Sequence, residues 1–79
     1  MRAVYEIKLL YPERYSNLHV IETHTYCATV ELFLKGIHTT QSSATRIQFE
    51  SERDRTLGLL YLMGSSVYTP VIPATDLTA

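Results

Sequence analysis

The sequence predicts a small α+β domain. The expected form is a three- or four-stranded mixed sheet in the order β-β-α-β-α, followed by an extended tail, with two helices packed on one face of the sheet. Three segments carry this reading. The first residues alternate apolar and polar side chains, residues 26–35 repeat apolar side chains at helical spacing, and residues 45–64 read as a strand that runs straight into a helix.

Ala3, Tyr5, Ile7, Leu9 and Tyr11 fall on one side of a period-two pattern, with Val4, Glu6, Lys8 and Leu10 on the other. That is a strand with one face in the core, and Pro12 ends it because proline cannot donate to the ladder. Residues 12–17 (PERYSN) suit a polar hairpin loop. Residues 18–25 (LHVIETHT) read as a second strand, since Val20, Ile21, Thr23 and Thr25 lose χ1 freedom in a helix. A helix over 13–25 is the competing reading.

Residues 26–35 (YCATVELFLK) form the first expected helix, with Thr25 as its N-cap. Tyr26, Val30, Phe33, Leu34 and Ile37 make an apolar stripe expected to face the core. Glu31 and Lys35 make a favourably ordered i,i+4 pair. Gly36 stands where a C′ glycine belongs, and Ile37 falls at C″ of a Schellman motif. Residues 38–43 (HTTQSS) read as a loop. Ile47 and Phe49 then alternate with Arg46, Gln48 and Glu50. Ser51 is an N-cap with Asp54 as its capping-box acid. In the helix that follows, Leu57, Leu60, Tyr61 and Gly64 share a face widened by Leu59 and Met63. Gly58 costs up to ~1 kcal/mol against alanine, which points either to a close neighbour or to tolerated noise. Residues 67–73 (VYTPVIP) are extended, and their prolines confine them to a sheet edge or an arm. Residues 1–73 make one domain and 74–79 a frayed tail. Both helices cover one sheet face. Glu6, Lys8, Arg46, Gln48 and Glu50 line the other, where a partner or a second copy is expected to dock.

The 79 residues leave no room for a second domain, and a core of this size is marginal without disulfides, metals or oligomerisation. A single cysteine, Cys27, excludes an internal disulfide and fits a reducing compartment. Seven basic against eight acidic side chains argue against a protein that grips nucleic acid by bulk charge. Glu6 and Lys8 interrupt any signal-peptide pattern, and no apolar run approaches the ~20 residues of a membrane span. The expected location is the cytoplasm, with no membrane partner.

The residues that carry chemistry in other proteins have ordinary explanations here. His24-x-x-Cys27 has a spacing seen in zinc sites, but a structural site needs four ligands, and only His19 and His38 remain. Cys27 at a helix start has the setting of an activated thiol but lacks an evident base-orienting partner. Glu50, Glu52 and Asp54 complement a helix dipole. No glycine-rich phosphate loop or nucleophile elbow is present. The sequence therefore points away from an enzyme, and no cofactor or metal is expected.

Six tyrosines are many for this length, and tyrosine is enriched at interfaces. The candidate interaction surface is Tyr11, Tyr15, Arg46, Gln48, Arg53, Arg55 and Tyr68. The expected function is a non-enzymatic protein-interaction domain that forms a homodimer. The alternative is a small RNA- or DNA-binding protein using a sheet face with Tyr, Arg and Lys. Residues 48–60 (QFESERDRTLGLL) resemble the strand–acidic turn–helix segment of small accessory proteins of tailed bacteriophages. The resemblance departs at Gly58, where a bulky apolar residue is usual. It implies a modulator or inhibitor of a host protein or complex, acting in the host cytoplasm, and carries over no site residue.

Overall fold

A computed structural model describes residues 4–74. Ala3 and residues 75–79, with most of the expected frayed tail, lie outside the described residues. The elements are β1 (Tyr5–Leu10), α1 (Leu18–Leu34), β2 (Thr39–Ser42), β3 (Arg46–Phe49), α2 (Glu52–Leu62) and β4 (Thr69–Val71). They build the expected α+β domain, with a four-stranded sheet in the order β2-β3-β1-β4.

The sheet is antiparallel throughout rather than mixed. β1 and β2 run parallel across α1, as a helical crossover requires, but β3 inserts between them. β3 and β4 stand in the same relation across α2, with β1 between them. Two such split βαβ units make the ferredoxin-like arrangement.

The alternation of β1 sorts the sheet faces as the pattern predicts. Tyr5 pairs with Phe49 and Ile7 with Ile47 on the helical side, while Glu6 pairs with Gln48 and Lys8 with Arg46 on the open side. Ile7, Leu9, Ile47 and Phe49 meet Ala28, Leu32 and Leu62 from the two helices, and Ile37 closes one end of the core.

α1 begins eight residues before the expected helix start. Residues 18–25 are helical, and Asn17 is the N-cap, its Oδ1 accepting from Val20 N–H at 3.2 Å. Tertiary contact overrides the β-branched propensity here. Thr25, expected as an N-cap, is instead a buried tie in mid-helix. Its hydroxyl donates to the Ala44 carbonyl at 2.6 Å and accepts from the Tyr11 hydroxyl at 2.9 Å. This anchor turns Thr25, Ala28 and Leu32 toward the sheet. The stripe Tyr26, Val30, Phe33 and Leu34, expected in the core, therefore faces solvent. Thr25 and Ala28 let the helix lie close to the sheet, and Leu32 fills the core beside them.

The end of α1 follows the expectation. Gly36 has φ 78°, its N–H donates to Phe33, and Ile37 N–H donates to Leu32 at 3.0 Å, a complete Schellman motif. The 38–43 loop is corrected to an edge strand, β2. It is polar because both its face and its outer rim meet water, so no period-two pattern marks it. β4 takes the opposite edge, where the missing N–H of Pro70 costs no ladder bond.

Ser51 caps α2 as expected, accepting from Asp54 N–H at 3.2 Å while its hydroxyl donates to Asp54 Oδ2 at 2.8 Å. The other carboxylate oxygen accepts from His38 N–H at 3.3 Å. Mainly through the Ser51 hydroxyl, these donors hold the Asp54 carboxyl below its ordinary value. A depressed folded-state value adds stability above the unfolded carboxylate range and loses it as pH falls through the folded value. Asp54→Asn is therefore expected to lower the urea midpoint at neutral pH. The difference from the parent should shrink below about pH 4. A difference that stays constant down the acid limb would contradict this linkage.

Candidate interaction surfaces

The sequence-predicted surface residues separate into three places. Tyr11, Tyr15 and Tyr68 come together where β1 ends and β4 begins. Tyr11 stands at the hub, with ring centroids 6.0 Å from Tyr15 and 5.5 Å from Tyr68, both edge-to-face. His24 of α1 closes the cluster, its ring 5.7 Å from that of Tyr15. The Arg14 guanidinium lies 5.0 Å over the Tyr15 ring. Burial raises the pKa of both Tyr11 and Tyr68. An open depression of about 500 Å³ runs alongside, with Leu10, Pro12, Arg14 and Val67 among its walls. Pairs of this kind add about 0.5–1.5 kcal/mol each, so the cluster holds the N-terminal half of α1 against the end of β1.

Arg46 and Gln48 lie on the open sheet face. Arg46 Nη1 donates to Glu6 Oε2 at 2.8 Å, and Gln48 Nε2 reaches Glu6 Oε1 at 3.5 Å. The carboxylate thus neutralises the arginine in the middle of the face. Val4 and Leu10 supply exposed apolar area only toward the ends of β1.

Arg53 and Arg55 belong to neither group. Arg53 is exposed beside Asp54, with an N···O distance of 3.6 Å. Arg55 is buried, its guanidinium carbon 5.8 Å from the Tyr5 ring on the core side. His24 and Cys27, the candidate metal pair, both lie on α1, with Cys27 exposed. No three metal-ligating side chains come together among the described residues. No described helix is long and apolar enough to cross a membrane.

The most apolar surface is one the sequence pattern assigned to the core. Tyr26, Phe33 and Leu34 are 67%, 66% and 77% exposed, and Val30 lies between them. Leu60 and Met63 of α2 are exposed as well. Glu31 and Lys35 both turn to Tyr61 in the groove between the helices. The Tyr61 hydroxyl donates to Glu31 at 2.7 Å, and the Lys35 ammonium sits 4.9 Å over its ring.

No family model, curated protein or solved structure matches this chain.

The ferredoxin-like strand order hosts many unrelated activities, so the choice among them falls to the surfaces. A stacking nucleic-acid platform needs aromatic rings on the open face of the two central strands. Here the aromatic side chains of β1 and β3, Tyr5 and Phe49, both face the helices. The stripe on α1 has the opposite character: its residues Tyr26, Val30, Phe33 and Leu34 are apolar and uncharged. One signal in the sequence marked it. α1 carries large apolar side chains on two sides, Leu32 toward the sheet and Tyr26, Val30, Phe33 and Leu34 away from it, more than one buried stripe uses.

Proposed function

We propose that this chain is a non-enzymatic protein-interaction domain, which meets another protein surface through the outer face of its helices. The observation that carries the reading is the exposed stripe Tyr26, Val30, Phe33 and Leu34 on α1. Contiguous apolar area of this kind marks docking sites on otherwise polar surfaces. The resemblance of residues 48–60 to phage accessory proteins agrees with a modulator that acts by binding a host protein or complex. The nucleic-acid alternative loses support from the Glu6–Arg46 pair and from the absence of aromatic rings on the open face of β1 and β3.

A photo-crosslinking residue placed at position 33 tests the reading in the cell. The expected result is a crosslink to protein, lost when Val30→Glu is added, while the same probe at position 46 gives none. A shift of RNA or DNA by the purified chain at low salt, abolished by Arg46→Glu, would instead establish the alternative.

A further inference from the structure

We infer that the protein seated on the outer face of α1 is a second copy of this chain, packed antiparallel about a two-fold axis at Val30. The inference rests on the interaction reading above and specifies its partner.

Three observations favour a second copy. The first is self-complementarity, which a two-fold interface demands. On a helix of 3.6 residues per turn, Tyr26 and Phe33 lie to one side of Val30, and Cys27 and Leu34 to the other. A two-fold axis through Val30 reverses the direction of the partner and keeps the sides. Tyr26 then meets Phe33 of the other copy, and Leu34 fills the space above the small Cys27. Val30 meets its own equivalent on the axis, where a small side chain lets the helices approach. One stripe thus supplies both a pair of aromatic contacts and the holes for its own knobs.

The second is charge. From Thr25 to Leu34 the only acidic or basic side chain is Glu31, and it is bonded to Tyr61 in the interhelical groove. The threonine hydroxyls are also satisfied within the helix. Thr23 donates to the His19 carbonyl at 2.9 Å and Thr29 to that of Tyr26 at 2.7 Å. The stripe can leave water without stranding a charge, the pattern of an interface centre.

The third is area. At their observed exposures Tyr26, Val30, Phe33 and Leu34 leave on the order of 500 Å² in water. Two copies would therefore bury about 1,000 Å² in total, the least that a specific interface needs. The open sheet face, the rival surface for a second copy, has the Glu6–Arg46 pair at its middle and would have to desolvate it.

Analytical ultracentrifugation across a concentration series, combined with engineered cysteines, tests the inference. The parent chain is expected to be a reversible dimer. Phe33→Glu should raise the dissociation constant by about 30-fold or more while leaving the circular dichroism spectrum unchanged. Arg46→Glu, on the sheet face, should leave it where it was. In a Cys27→Ser background, Val30→Cys should form an intermolecular disulfide, since a residue on the axis faces itself, whereas native Cys27 should not. A monomer at high concentration would overturn the inference. So would a dimer dispersed by Arg46→Glu but not by Phe33→Glu. If the chain is monomeric while the probe at position 33 still crosslinks to a different protein, the second copy is wrong and the interaction reading stands. Loss of both signals removes the reading itself.

Discussion

Replacing Leu32 with alanine is expected to cost about 2–5 kcal/mol, read as a drop in urea midpoint. Leu32 is fully buried between α1 and the sheet, and its carbonyl accepts from both Lys35 and Ile37 at the helix end. The cavity would open in a core of few fully buried apolar side chains. At 0.05–0.15 kcal/mol per residue, a domain of this length has about 4–12 kcal/mol in total. The substitution therefore removes a large share and leaves a measurable unfolded population at physiological temperature. Leu34→Ala, two residues on, is the control. Leu34 is mostly exposed, so the dilute chain should lose no more than about 0.5 kcal/mol. Its effect should grow with protein concentration if α1 pairs with a second copy. Equal losses at the two positions in dilute solution would mean that α1 is rotated from the face described above.

Gly58→Ala is expected to destabilise, although alanine is the better helix former by about 1 kcal/mol. A Cβ at position 58 would stand 2.6 Å from Phe49 Cε2 and 2.8 Å from Cζ. Phe49 is itself buried, so its ring has no free space to take up. Overpacking of this kind costs about 1–3 kcal/mol, enough to outweigh the gain in propensity. Phe49→Leu in the Gly58→Ala background should recover part of the loss, giving a coupling energy of at least about 0.5 kcal/mol in a double-mutant cycle. A stabilised Gly58→Ala variant would show that the glycine is merely tolerated.

Gly58 illustrates what the sequence can and cannot carry. A glycine in a helix signals either a close neighbour or noise, and the choice belongs to Phe49, which no local pattern links to it. The alternation of Tyr5 to Leu10 was legible because one period governs a strand packed on one face only. The cap at Ser51 and the Gly36–Ile37 helix end were legible because both motifs are local. Residues 18–25 were not, because their β-branched side chains favour a strand and their helix is secured from outside by Ala44 and Tyr11, both bonded to Thr25. β2 was hidden for the opposite reason: an exposed edge strand has no buried side to print a period. The stripe on α1 misled in a more useful way. Its spacing was read correctly as helical, but spacing alone does not say which of two apolar sides meets the sheet. The side of Thr25, Ala28 and Leu32 does. The side of Tyr26, Val30, Phe33 and Leu34 remains outside, and the proposed function rests there. The tyrosine cluster was half legible: its members stood out by type, while their convergence on Tyr11 depends on where β4 returns.

The position of β1 bears on how the molecule comes into being. Among the described residues it is the first strand, and it is a central one in the sheet, with Tyr5 paired to Phe49 on one flank and Lys8 to Val71 on the other. Neither partner is near in sequence, so every ladder bond of β1 closes a long loop, and the entropy of closure must be spent before the pairing returns anything. During synthesis at roughly 5–20 residues per second, β1 leaves the ribosome with no strand to join until β3 follows, and its second flank stays bare until β4 arrives. The helices and the β2–β3 hairpin are local and have time to form and dissolve repeatedly in that interval, while the pairings of β1 come late. In a nascent chain of this design β1 waits unpaired until β3 and β4 follow it, and the charges of Glu6 and Lys8 at the middle of that strand oppose pairing with a wrong one.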